Sequence, residues 1–123
     1  KNSDALISVD ARGFIFGTAI AMKLSKPMIV ARKPGKLPGE VISKSYELEY
    51  GRNSLSIKKE SIEKYRTFTI VDDLLATGGT VHCISNILKE ANKEVAGLSI
   101  VVELEELNAR NSLSFPIESQ IIF

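Results

Sequence analysis

The chain has 123 residues and a formal net charge of +1 from 16 basic and 15 acidic side chains. That is one domain, and the near-neutral balance excludes a general electrostatic surface for nucleic acid or membrane. A single cysteine, Cys83, excludes an internal disulfide and fits a reducing cytosol, while no apolar run is long enough to span a bilayer or reads as a signal peptide.

In chain order, Ala5 to Val9 reads as a buried strand. It follows the first residue so closely, with no initiator methionine, that the sequence is expected to be a piece of a longer domain. Phe14 to Leu24 has helical spacing of apolar and small residues and is closed by Pro27. Met28 to Ala31 is a short apolar strand. Residues 32 to 43 contain Pro34, Gly35, Pro38 and Gly39 among charges and are expected to form a mobile loop. Ser45 to Tyr50 and Ser54 to Lys58 flank Gly51-Arg52-Asn53 and suggest a hairpin. Ser61 to Lys64 is expected as a helical turn, Thr67 to Val71 as the central strand, Val81 to Ala91 as a helix and Gly97 to Glu103 as another buried strand. Residues 105 to 113 look weakly helical, and Ile117 to Phe123 is expected as an edge strand. Phe14, Phe16, Ile84, Ile87 and Leu88 read as core. Alternating strands and helices imply an α/β fold with a mostly parallel sheet flanked by helices.

The most informative stretch is Phe68 to Thr80, FTIVDDLLATGGT. An apolar segment ends in Asp72 and Asp73 and turns through Ala76-Thr77-Gly78-Gly79-Thr80 into a helix. Glycines permit backbone angles at which successive N–H groups converge on an anion, and the helix N-terminus adds to the attraction. Thr77 and Thr80 can add hydroxyl donors. The two acids can hold hydroxyls or a divalent cation. The plainer alternative is a strand-to-helix turn with the acids capping the helix. No lysine follows Gly79, so the loop is not a Walker A motif.

A second strand-to-helix turn carries Asp10, Ala11, Arg12 and Gly13. Arg12 there is a bidentate anion ligand or an arginine on a solvated turn. Arg32, Lys33 and Lys36 lie on a glycine- and proline-rich segment that closes over a polyanion or stays a solvated basic loop. Glu47 and Glu49 share a face of an extended segment. On the residues alone, such carboxylates are commonplace on exposed strands. His82 beside Cys83 has no ligand cluster and reads as helix surface and packing, respectively.

The stretches DARGFIFG, ARKPGKLPG, YELEYG and VDDLLATGGT, in this order, resemble the type I phosphoribosyltransferases, and RKPGKLPG with LEYG resembles their adenine-specific branch. The likeness runs from about Asp4 through Val102. It implies a phosphoribosyltransferase core across residues 1–123, with the N-terminal hood over the base absent. It implies transfer of the phosphoribosyl group of phosphoribosyl pyrophosphate (PRPP) to adenine, giving AMP and pyrophosphate, in purine salvage. Ala76 to Thr80 would hold the ribose 5-phosphate. Asp72 and Asp73 would contact the ribose hydroxyls, directly or near Mg²⁺ carried with PRPP. Asp10, Ala11 and Arg12 would form the pyrophosphate loop, and Arg32, Lys33 and Lys36 would reach pyrophosphate on closure. Glu49 would handle the proton on the purine ring, with Tyr50 beside it. The resemblance also implies a cytoplasmic homodimer. Two alternatives stand beside it: a regulatory module that binds PRPP without turnover, and transfer to another base.

Overall fold

A computed structural model describes residues 3–9, 12–33, 35–48, 51–75, 78–104, 111 and 113–122. The chain runs β1 (Ala5–Val9), α1 (Arg12–Leu24), β2 (Met28–Arg32), β3 (Val41–Leu48), β4 (Gly51–Lys58), α2 (Lys59–Ile62), β5 (Thr67–Leu75), α3 (Gly79–Glu90), β6 (Glu94–Glu103) and β7 (Ile117–Ile122). One seven-stranded sheet has the order β3-β4-β2-β1-β5-β6-β7. β2, β1, β5, β6 and β7 are parallel, and the β3–β4 hairpin joins antiparallel through Ala31 opposite Ile57 and Arg32 opposite Ser56.

All five residues of β1 are buried, as expected for a central parallel strand covered on both faces. Its side chains alternate between two clusters. Ala5, Ile7 and Val9 join Phe68, Ile70 and the α3 residues Val81, Cys83, Ile84, Ile87 and Leu88. Leu6 joins Val71 and the α1 residue Ala21, with Ile20 and Met28 packed against them. The helices α1 and α3 therefore cover opposite faces.

Helix α1 meets the sheet through small residues four apart, Gly13, Gly17 and Ala21, all of them buried. This corrects the expectation for Phe16, which is 37 % exposed, and leaves Ile15 and Met22 exposed as well. The close seat of a glycine face turns the bulky residues outward. Ile84, Ile87 and Leu88 are core as expected, each contributing roughly 1.5–3 kcal/mol by burial. Helix α3 ends at Glu90 and is closed by Asn92, whose φ of 62° is left-handed, with the Lys93 amide donating to the Leu88 carbonyl at 2.8 Å, a common way to satisfy the last turn.

Several boundaries differ from expectation. Strand β5 does not stop at Val71 but continues through both aspartates to Leu75, because β6 extends beside it and pairs Leu74 with Val102 and Leu75 with Glu103. Strand β3 begins at Val41, inside the expected loop, and Gly51 to Asn53 belong to β4, where Gly51 pairs with Leu48. α1 starts at Arg12 rather than Phe14, α2 is Lys59–Ile62 rather than Ser61 to Lys64, and β6 begins at Glu94. Residues 105–110, expected as weak helix, lie outside the described residues.

Candidate active site

Strand β1 lies between β2 and β5, and the helices that follow β1 and β5 lie on opposite faces of the sheet. The carboxyl ends of β1 and β5 therefore mark a topological switch point, where open α/β sheets take ligands in a crevice. The register aligns these ends: Val9 pairs with Ala31, Ser8 with Val71, and Asp72 with Ile100.

Asp72 is buried at 9 % exposure and Asp73 is half-buried. The Asp73 amide donates to Oδ1 of Asp72 at 2.8 Å. A Cβ on Gly13 would stand 3.1 Å from the Val71 carbonyl oxygen and 3.4 Å from Asp72 Oδ1. The first turn of α1 thus packs directly on the end of β5. Gly13 was not singled out from the sequence as a site residue. Its signal was the glycine just after a strand, where close helix–strand approach requires one.

The N-cap of α3 is Gly78, with φ 90° and ψ 3° and no side-chain cap bond. A left-handed residue there suits glycine, which brings no side chain of its own to cap the helix. The first intrahelical bond runs from the His82 amide to the Gly78 carbonyl at 2.8 Å. Gly79 and Thr80 form the opening turn. The N-cap residue is glycine and both acids lie within β5, so neither aspartate is itself the N-cap of α3.

The cations come from two segments. Arg12 is the first residue of α1, and Arg32 the last of β2. Lys33 and Lys36 are exposed in the connection to β3, where the Lys36 amide donates to the Lys33 carbonyl at 3.3 Å. Gly35 and Gly39 in that connection have φ of 87° and 80°. The β3–β4 hairpin overhangs the same edge. From Ser56, level with Arg32, strand β4 reaches up to Gly51, roughly 16 Å at strand rise. Asp10, Ala11, Glu49, Tyr50, Ala76 and Thr77 lie outside the described residues.

Cys83 is buried, and its Sγ donates to the Lys44 carbonyl at 3.2 Å. Burial pushes the thiol above its ordinary range, which suits packing rather than nucleophilic chemistry. Among the described residues no three His, Cys, Asp or Glu side chains group as metal ligands, and no helix is long and apolar enough to cross a membrane.

The sequence profile of the phosphoribosyl transferase domain matches residues 1–119. An adenine phosphoribosyltransferase of Prochlorococcus marinus (strain MIT 9211) is 73 % identical over 123 residues, all of this chain and 72 % of that protein. The chain belongs to the adenine phosphoribosyltransferase family. Solved structures of the family agree in fold. The adenine phosphoribosyltransferase of Thermoanaerobacter pseudethanolicus superposes with a TM-score of 0.93 at 40 % identity, over 100 % of this chain and 72 % of that one. The Saccharomyces cerevisiae enzyme, solved with an imino-altritol bisphosphate and adenine, does so with a TM-score of 0.89 at 32 % identity, over 98 % and 68 %.

Proposed function

We propose that the chain transfers the phosphoribosyl group of PRPP to adenine, giving AMP and pyrophosphate in purine salvage. The observation that supports this most is the strand-to-helix junction: two adjacent carboxylates near the carboxyl end of β5, then the left-handed Gly78 at the N-cap of α3.

In this reading Ala76 to Thr80 hold the 5-phosphate through backbone amides and threonine hydroxyls. Asp72 and Asp73 hold the ribose hydroxyls. Asp10, Ala11 and Arg12 bind the pyrophosphate group, and Arg32, Lys33 and Lys36 reach it when their segment closes. As adenine N9 bonds to ribose C1, the bond to pyrophosphate breaks through an oxocarbenium-like state. The leaving group gains charge as that bond breaks, so cations around it stabilise the transition state more than the ground state. Closure also keeps water from the sugar cation. Glu49, with Tyr50 beside it, takes the role of handling the purine proton.

Mg²⁺ fits the donor set as an ion carried by the diphosphate. The described residues offer two adjacent carboxylates rather than a protein cage, as Mg²⁺ sites on phosphate substrates commonly do. The ion would add charge neutralisation at the diphosphate oxygens. The proposal includes a homodimer, supported by the exposed Ile15 and Met22 on α1, and a cytoplasmic location, supported by the lone reduced cysteine.

The test is product formation from PRPP with adenine, hypoxanthine, xanthine, guanine or orotate. AMP from adenine should far exceed the other products. Equal or reversed preference would refute the assignment.

A further inference from the structure

Gly13 is the second residue of α1 and is buried. The three atoms nearest to a Cβ there all belong to β5: the Val71 carbonyl oxygen at 3.1 Å, Asp72 Oδ1 at 3.4 Å and Asp72 Cα at 3.5 Å. Two of them are backbone atoms, so no change of rotamer would clear them. The strand is also held in place on both sides. Val71 pairs with Ser8 of β1 and with Ser99 of β6, and Asp72 pairs with Ile100. A side chain at position 13 would therefore lift the first turn of α1 rather than move β5.

The glycine is not required by its backbone angles. Among the described glycines, positive φ belongs to Gly35, Gly39 and Gly78, so alanine fits the conformation of residue 13. Alanine is also the better helix former, by up to about 1 kcal/mol. What alanine would add is a methyl group against the end of β5. That contact lies where two parts of the proposed site meet. Arg12, the preceding residue, is assigned to pyrophosphate, and Asp72 is the first of the pair assigned to the ribose hydroxyls. One turn further along α1, the close seat at Gly17 falls instead on Ser8 and Met28.

We propose that Gly13 is a positioning residue for PRPP: the missing side chain lets the first turn of α1 lie against Asp72 and so sets the spacing between Arg12 and the acid pair. The inference rests on the PRPP reading of the site and deepens it. Binding groups must be held within about 0.5 Å of their productive places, and a methyl group in this contact displaces one part of the site from the other on that scale. PRPP spans both parts and is sensitive to their spacing. AMP carries no pyrophosphate, so it is held without Arg12 and is not.

The experiment compares the full-length protein with its Gly13→Ala and Ile62→Val variants, measuring calorimetric affinity for PRPP and for AMP, kcat and Tm. Gly13→Ala should weaken PRPP about fivefold and leave AMP within about twofold, with Tm little changed because helix propensity offsets the tighter contact. Ile62→Val removes a methyl from a fully buried side chain of α2. It should lower Tm and leave both affinities within about twofold. Unchanged PRPP affinity in Gly13→Ala overturns the proposal, as does an equal loss for PRPP and AMP. A Gly13→Ala protein that does not fold also overturns it, because the glycine then serves the fold alone. So does an Ile62→Val variant with the same PRPP-selective loss. A parent that binds PRPP without making AMP overturns the transfer reading alone, and the affinities still decide the role of Gly13. A parent that binds no PRPP overturns both.

Discussion

Ser8 of β1 and Gly17 of α1 are in direct contact: a Cβ on Gly17 would stand 1.7 Å from Ser8 Oγ and 2.8 Å from Ser8 Cβ. Ser8 is fully buried, and its hydroxyl has no hydrogen-bond partner among the described residues. The helix is seated on the strand as closely as a glycine allows. Gly17→Ala should therefore destabilise the fold by about 1–3 kcal/mol through overpacking. The same substitution in a Ser8→Gly background should lose much less, since both clashing atoms of Ser8 are gone. Urea unfolding of the four members of the cycle measures the coupling. Additive losses would show that the two residues do not limit each other.

Asp73→Asn should weaken PRPP binding about tenfold, with the unfolding midpoint little changed. The side chain is half-buried at the end of β5, and its backbone amide already bonds to Asp72. The substitution removes charge without removing the hydrogen bond that organises the pair. Calorimetry with PRPP checks it, and unchanged affinity would remove Asp73 from the site.

Asp4 gives stability a dependence on acid. Its Oδ2 accepts the amides of Arg66 at 2.9 Å and Thr67 at 3.2 Å, and these bonds, the Arg66 amide foremost, hold its pKa below the ordinary 3.8. The folded value lies below the unfolded one, so this contribution is fully present above about pH 4 and is lost as pH falls through the folded pKa. Wild type should lose more stability than Asp4→Asn on acidification from pH 6 to about 3. Parallel urea midpoints for the two across that range would exclude the effect.

Cys83 works in the opposite direction. Burial raises its folded pKa above the ordinary 9.0. The contribution is present below pH 9 and is lost as pH rises through the folded value. At pH 8 a thiol reagent should react slowly with native protein and rapidly in urea, with opening of the α3–hairpin contact limiting the native rate. A native rate equal to that of a free thiol would contradict the buried, neutral state.

The central strands and α3 were legible because their signals are local. Ala5–Val9 is an unbroken apolar run, and Val81, Ile84, Ile87 and Leu88 recur at helical spacing. The passage from β5 into α3 was legible because small residues and glycines separate an apolar run from a helical pattern. The end of β5 was not legible. Adjacent aspartates are poor strand formers, and only the long-range pairing of β5 with β6 carries the strand past them. Phe16 failed for a related reason. Helix α1 is apolar all round, so periodicity cannot say which face meets the sheet, and the answer depends on Ser8 lying opposite Gly17. The hairpin turn was misplaced because register is a relation between two strands, and the sequence of one does not contain it. Glu103 was read only as the last residue of a strand. Its bond to the Ser119 hydroxyl spans two strands and leaves no mark in either segment alone.

Among the described residues, the β3–β4 hairpin pairs with the rest of the sheet at its base. Ala31 and Arg32 pair with Ile57 and Ser56, and Cys83 holds the Lys44 carbonyl. Above that level each of its strands pairs only with the other. Among the described residues, its upper half shares no backbone pairing with the parallel part of the sheet. In the proposed reading the residues that hold the sugar phosphate belong to the parallel part of the sheet while Glu49 follows β3 in the sequence, so substitutions along the upper hairpin should leave the pairing around Asp72 and Asp73 intact.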